Sequence, residues 1–551
     1  MKIKKDKNSV VAYFSLEIAL ESDLPTYSGG LGVLAGDLLR SAADIGFPLV
    51  GVTLLNRRGY LKQEMALDGR QIAKPESRYP FGRLEKTGIE TTVLIGSETV
   101  RIRVWHYQVK GGAVSTSVYL LDTDVPGNKP KYRRLTDRLY DSDKLYRLQQ
   151  EIVLGRGGVR MLAALGYDVK KYHLNEGHGS LAAVELFLSS RKKTAAAKLA
   201  EVRSRCIFTV HTPLPGAQDQ YKKDFFLSYL RDWPVYLNRL FVDERINMTR
   251  AGLHCCGYTN AVSLRHRAVT RKMFSGHRIE SITNGVNSSF WTAPEMQALF
   301  DKTAVGWRHD ARCLAKMVKA APEEIGAAHK KAKQRLIGYV RRQIGARLRE
   351  DIFTIGFARR FTPYKRPGLI FFDLNRLADI ALRRGGLQII MAGKAHPEDK
   401  DGQELIRQTI RARDKLRGRV KVVFLEDYDL DQAKLLVSGT DLWLNTPQPP
   451  IEASGTSGMK AAHNGVPQLS TDDGWWPEGY KRGQTGWMIR ETRQGNNLYE
   501  LLDQDILPFF YGNPFGWSKL MRSTISRGAP VFNTDRTLRE YIRQAYKMKG
   551  F

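Results

Sequence analysis

Residues 452–460 read Glu-Ala-Ser-Gly-Thr-Ser-Gly-Met-Lys and bring a carboxylate, small residues with accessible backbone N–H groups and one lysine close together in the chain. Just upstream, Asp441-Leu-Trp-Leu-Asn445 has the apolar content of a buried strand; just downstream, Met459 to Asn464 reads as a helix. A loop between a strand end and a helix start turns N–H donors outward and suits an anion. Lys460, in the helix behind such a site, carries an amine able to form an imine with an aldehyde cofactor. The plain alternative is an ordinary strand–loop–helix turn ending in a surface lysine.

Other stretches carry chemistry of their own. Residues 25–36, Pro-Thr-Tyr-Ser-Gly-Gly-Leu-Gly-Val-Leu-Ala-Gly, precede a helical Asp37 to Asp44. Gly30, Gly32 and Ala35 satisfy G-x-G-x-x-A, but no clean strand runs directly into them, as a dinucleotide fingerprint requires. A glycine turn at a helix start still lets backbone N–H groups approach an oxyanion. Residues 357–366, Phe-Ala-Arg-Arg-Phe-Thr-Pro-Tyr-Lys-Arg, group four cations after a strand, which is costly unless an anion lies among them. His173-Leu-Asn-Glu-Gly-His178 invites a metal reading, yet a His–His separation of five does not share a helical face, and no third ligand is near in sequence. His211 follows a strand end; a lone histidine is most often a satisfied core residue. Asn284-Gly285 alone would be a turn, and Asp473-Gly-Trp-Trp-Pro-Glu-Gly-Tyr480 reads as packing.

Taken in chain order, these stretches resemble the α-glucan (glycogen, starch, maltodextrin) phosphorylases. The 452–460 run looks like the family's pyridoxal-phosphate attachment segment, with Lys460 as the anchor. The resemblance, from residue 12 to about 545, implies a glycosyltransferase-B fold, two Rossmann-like domains facing a cleft. It implies that Arg360 and Lys365 bind the substrate phosphate and that Arg359 contacts the cofactor phosphate, where the family has a lysine. It gives Tyr364 the sugar's 2-hydroxyl, Asn284 its far edge, and Glu452, Ser454 and Gly455 further sugar contacts. Thr456, Ser457 and Trp291 would line the cofactor. Gly30 would offer its N–H to phosphate and Leu31 to sugar; the main-chain carbonyl of His211 would lie beside the anomeric carbon; Glu176 and His178 would contact sugar. Thr362 and Pro363 stand where the long animal and plant enzymes have His and Glu, which matches the shorter bacterial and archaeal branch. The expected early first strand also implies that the effector arm of the long enzymes, and its allosteric control, is absent.

The elements that must position these residues follow the alternation of short apolar runs with amphipathic stretches, which argues an α/β fold with parallel sheets. Strands are expected over 10–16, 48–54, 205–210, 352–356, 387–392 and 420–425, with antiparallel strands between 91 and 121 at a sheet edge. The Ala-, Lys- and Arg-rich 303–350 reads as helical, and Asp535 to Lys549 as an amphipathic helix. The expected domains are 1–282, 283–530, and a C-terminal helix within 531–551 packing back on the first.

At 551 residues the chain has room for two large cores. The basic start, 1–7, followed by an apolar run suggests a signal peptide, but Glu17 interrupts that run and no small-residue cleavage site follows. Four cysteines without metal spacing fit a reducing cytoplasm, and no apolar run is long enough for a membrane span. The formal charge of +30 is spread along the chain, which favours a solvated basic surface over a specific nucleic-acid interface. The sequence leaves a homo-oligomer open.

The expected partners are inorganic phosphate and an α-glucan such as maltodextrin, and the expected reaction is phosphorolysis to α-glucose 1-phosphate with retention. No carboxylate nucleophile is assignable, so same-face attack by phosphate is the implied route. A nucleotide-sugar glucosyltransferase on the same scaffold, or a non-catalytic glucan- or polyanion-binding protein, are the competing readings.

Overall fold

The computed structural model describes residues 9–548 except 67, 75–80, 215, 217 and 491. The basic stretch 1–7 lies outside the described residues. The chain forms two compact units: residues 1–60, 75–283 and 537–551 make the first, and 61–74 with 284–536 make the second.

The first unit is built on a nine-stranded sheet. Its strands are β1 (Val10–Phe14), β2 (Leu49–Leu54), β3 (Glu85–Ile95), β4 (Glu98–Lys110), β5 (Ser115–Asp122), β6 (Val169–Asn175), β7 (Cys206–Thr209), β8 (Tyr258–Ala261) and β9 (Glu280–Ser281). Their order is β9-β8-β7-β6-β1-β2-β5-β4-β3. All pairs from β9 to β5 are parallel, and β3 and β4 extend one edge in antiparallel register. Every residue of β1 and β2 is buried, as expected where helices cover both faces of a parallel sheet. In β4, Val100, Ile102 and Val104 are fully buried while Thr99 and Arg101 turn away, the alternation of a one-sided sheet. The antiparallel strands expected within 91–121 span 85–122.

The second unit holds β10 (Thr354–Ala358), β11 (Gln388–Ala392), β12 (Lys421–Leu425), β13 (Leu442–Asn445), β14 (Gln468–Thr471) and β15 (Gly486–Ile489), in the order β12-β11-β10-β13-β14-β15. All are parallel. This is the doubly wound dinucleotide-fold order, whose switch point lies between β10 and β13.

Three expectations need correction. Residues 61–74, expected within the first domain, belong to the second unit. They form a hairpin (Lys62–Met65, Gln71–Lys74) whose Gln71 side chain accepts from Ala395 N at 2.9 Å and donates to Ala395 O at 2.8 Å. The stretch 303–350, expected to be helical, is so only in part: a 3-10 turn over Ala311–Lys319 precedes a helix over Pro322–Ile344, and 345–350 lie outside it. Pro322 starts that helix, and Gly345, at φ 67°, ends it. The C-terminal segment divides, residues 531–536 joining the second unit and 537–551 the first. Its helix runs Thr534–Tyr541, followed by a π turn over Ile542–Tyr546.

In the first unit this last segment enters the core. His173 is fully buried between Tyr546 Oη, 2.7 Å from Nδ1, and Thr209 Oγ1, 2.7 Å from Nε2. Asn260 joins by donating to Tyr541 Oη at 3.0 Å. The four cysteines are free thiols, three of them buried.

Candidate active site

In the second unit the chain leaves β10 at Arg359 and β13 at Thr446, the two carboxyl ends at the switch point. Open α/β sheets hold ligands at that place. Arg359 Nη1 donates to Asn445 Oδ1, the last residue of β13, and Nη2 donates to Glu452 Oε2 at 2.8 Å. Lys365 Nζ donates to the same Glu452 oxygen. The anion that the cation cluster needs is therefore supplied by the chain. Burial would raise the Glu452 carboxyl, but Arg359 and Lys365 hold it down at about 2. Arg366 spends its guanidinium on the carbonyls of Thr446 and Pro447, at 2.9 and 2.8 Å. Arg360 is exposed, and Lys365 Nζ lies 4.4 Å from the centre of the Tyr364 ring.

The loop carrying Glu452 is fixed from Asp473. Its Oδ2 accepts from Glu452 N and its Oδ1 from Gly474 N, both at 2.8 Å, while Trp475 N donates to Ser454 O at 2.9 Å. At Gly474, φ is 60° and an added Cβ would stand 2.3 Å from Ser454 O, so only glycine permits this approach.

Lys460 lies in the helix Ser457–His463 and is buried; its Nζ stands 3.7 Å from the centre of the Trp291 ring, itself 1% exposed. The same helix end grips the segment bearing that tryptophan. His463 Nε2 meets Ser288 Oγ at 3.0 Å, and Asn464 brackets 291–293 by donating to Trp291 O at 2.9 Å and accepting from Ala293 N at 2.7 Å. Ser457 Oγ accepts from Trp443 Nε1 at 3.1 Å, which ties the helix start to β13; Thr456 precedes it, half-buried and without a side-chain cap bond. Burial lowers His463 to about 4, so it acts as a neutral imidazole. Ser454 Oγ, Arg359 Nε, Asn284 Oδ1 and both polar atoms of the Gln468 amide are buried without a partner. A buried amine against an aromatic face, with polar atoms left to satisfy nearby in the fold, fits an aromatic aldehyde with polar and anionic substituents. Gly455, at φ 76°, completes the loop.

The first unit has its own switch point, between β1 and β6, and its candidate residues follow the carboxyl ends there. Gly30 and Leu31 open the helix Gly30–Ile45; Gly30 is exposed, with open space where a Cβ would be. Behind them, Glu17 Oε2 accepts from Ser28 N at 2.6 Å and Gly29 N at 3.1 Å, and Oε1 accepts from Tyr140 Oη at 2.9 Å. The glycine turn is thus organised by a carboxylate that, read from the sequence, only interrupts an apolar run. Glu176, directly after β6, has φ 76° and ψ 174°. That region is essentially reserved for glycine and costs about 1–3 kcal/mol, a strain that concentrates at functional sites. Glu176 Oε2 accepts from His211 N at 2.8 Å. His178 Nε2 and His211 Nε2 are buried without a partner. Burial lowers His178 to about 4; burial and the neighbouring His266, His173 and His178 press His211 well below the usual range.

A family model described as carbohydrate phosphorylase matches residues 242–476. Maltodextrin phosphorylase of Thermococcus litoralis is 36% identical over 97% of this chain and 70% of its own length. Glycogen phosphorylase of Aquifex aeolicus is also 36% identical, over 97% of this chain and 86% of its own. Glycogen phosphorylase of Mycobacterium tuberculosis is 34% identical over 97% and 70%. The chain belongs to the carbohydrate phosphorylase family. Phosphorylase identity accounts for both sheets, because the family has the glycosyltransferase-B fold. The matched segment carries Asn284, Trp291, the 359–365 cations and the 452–460 run. Sequence reasoning found these phosphorylase motifs but missed their supports: Asn445, Asp473, His463 and Asn464 have no motif of their own. Only their polar character next to an apolar strand or helix could have singled them out. No described helix is long and apolar enough to cross a membrane.

Proposed function

We propose that the protein is an α-glucan phosphorylase, transferring the terminal glucosyl unit of an α-1,4-glucan to inorganic phosphate with retention. The glycosidic bond from C1 to the glucan oxygen breaks, C1 bonds to a phosphate oxygen on the same face, and the proton of the phosphate passes to the departing oxygen. The products are α-glucose 1-phosphate and a glucan one unit shorter. The observation that carries this reading is a buried lysine against a tryptophan face in the same unit as a switch-point cation pair.

Pyridoxal 5′-phosphate would be tethered by Lys460, walled by Trp291 and bordered by Thr456 and Ser457, with Arg359 toward its phosphate. When bound, it supplies a second phosphoryl group that backs the substrate phosphate as a proton holder. Arg360 and Lys365 bind the substrate phosphate and stabilise the charge developing between it and the cationic sugar ring. The Gly30 N–H serves phosphate and the Leu31 N–H sugar, as in the family. Glu452 compensates Arg359 and Lys365, which would otherwise repel each other in a desolvated place. Tyr364, Asn284, Ser454, Gly455 and His178 offer hydrogen-bonding groups to sugar hydroxyls. A nucleotide-sugar glucosyltransferase has no use for a buried amine on an aromatic wall.

The test is direct. Purified protein supplied with pyridoxal phosphate should show a near-ultraviolet cofactor band, and maltodextrin should release glucose 1-phosphate only when phosphate is present. Release independent of phosphate, or none with the band present, would refute the proposal.

A further inference from the structure

We infer that Glu176 is a positioning residue: its carboxylate holds the 211–212 segment in place and spends its acceptor capacity on the protein instead of on sugar. This rests on the phosphorylase reading, in which the His211 carbonyl lies beside the reacting carbon.

A carboxylate has about four acceptor sites on its two oxygens. Glu176 uses three of them on donors of the first unit. Oε2 takes His211 N at 2.8 Å; Oε1 takes Gly177 N at 3.1 Å and Thr249 Oγ1 at 3.2 Å; the Thr212 hydroxyl also favours the ionised carboxylate. A sugar hydroxyl approaching this group meets an acceptor mostly committed to the protein. The donors come from three places: the turn after β6, the segment after β7, and the first turn of the helix Met248–Cys255. The backbone adds the same message. Glu176 N donates to Thr209 O at 3.0 Å, so main chain and side chain both grip the strand end that leads to His211. The strained φ of 76° is held by these bonds on both sides of the residue. Close packing leaves little slack: a Cβ at Gly177 would stand 3.0 Å from Thr249 N.

Burial raises the Glu176 carboxyl and these four groups oppose that rise. His211 itself is surrounded by His266, His173 and His178, all kept neutral by burial. The Arg147–Asp219 ion pair acts on His178. Removing a donor must therefore push the Glu176 carboxyl higher still.

The experiment uses the full chain with pyridoxal phosphate, assayed as phosphorolysis of maltodextrin, with Glu176→Gln, Thr249→Val and Thr249→Ser. An amide has one accepting oxygen and cannot serve donors on both sides of the group, so Glu176→Gln should lower kcat by about 100-fold, as misplacement by about 1 Å does. Its KM for maltodextrin should stay within about threefold of wild type, since no sugar contact is lost. Thr249→Val should lower kcat by about 3- to 10-fold and move the acid limb of the kcat–pH profile to higher pH; Thr249→Ser, which keeps the hydroxyl, should restore both. Amide exchange at His211 should quicken in Glu176→Gln whether or not that variant is active. The inference is overturned if Thr249→Val matches wild type in kcat and pH profile, if Glu176→Gln acts mainly on the maltodextrin KM, or if His211 exchange is unchanged. An inactive wild type would instead sink the phosphorylase reading.

Discussion

At the scale of single residues, the second unit's site rests on one carboxylate shared by two cations. Removing a partner from a buried ion pair strands the other charge and costs about 3–5 kcal/mol. Glu452→Gln should therefore lower stability by that order, measured by denaturant unfolding, and added phosphate should recover more stability in the variant than in wild type. Equal phosphate effects in the two would contradict a cation pair waiting for an anion. The pH dependence has a definite sign. Glu452 is held at about 2, below its unfolded value, so its contribution is complete above about 4.5 and is lost as pH falls toward 2. That contribution is about 3 kcal/mol at neutral pH. Lys460→Arg keeps a cation but not a primary amine, so it should abolish both the cofactor band and phosphorolysis while the fold persists. Lys460 and the cations were legible in the sequence because chemistry confines them to short runs. Glu452's engagement with Arg359 and Lys365 was not, because it links positions some 90 residues apart whose meeting depends on β10 lying beside β13.

At the scale of elements, the parallel strands were readable because residues buried on both faces are nearly all apolar, as in Val10–Phe14 and 389–392. The hairpin 61–74 was not, because its two glutamines look like surface residues until Gly393 and Ala395 are brought to them. Nor was the break at Pro322 visible as a helix start inside an Ala- and Lys-rich run. Gly393 makes the element-level prediction. At φ 147°, an added Cβ would stand 2.0 Å from Arg359 O, so the end of β11 can lie against the end of β10 only without a side chain. Gly393→Ala should push Arg359 off Asn445 and Glu452, lowering phosphorolysis by about 100-fold. Activity within about twofold of wild type would show that Arg359's position tolerates the shift.

At the scale of the whole molecule, neither unit is a continuous stretch of chain, and acid should not affect them alike. The first unit holds four histidines in neutral form: His173, lowered to about 3, His178 and His266, to about 4, and the half-buried His211, driven well below its usual range. In the second, His463 is lowered to about 4. A histidine buried neutral is protonated first in the unfolded chain. The stability tied to it is complete above about 6.5 and is lost as pH falls toward the folded value. At pH 5 each such histidine costs about 2 kcal/mol, set against a typical domain stability of about 5–15 kcal/mol. Glu452 and Asp441, buried carboxylates of the second unit held below their usual range, do not respond until below about 4.5. Between pH 6.5 and 4.5 the first unit should therefore open before the second, and the segment 537–548 should open with it, because Tyr546 and Tyr541 belong to the same buried network as His173. Hydrogen exchange at pH 7, 6 and 5, corrected for the intrinsic rate, resolves this by peptide. Peptides from 169–175, 206–209 and 537–546 should lose protection together while those from 354–358 and 442–445 retain it. The reverse order, or a single cooperative loss across both units, would mean that the buried histidines do not govern the acid response.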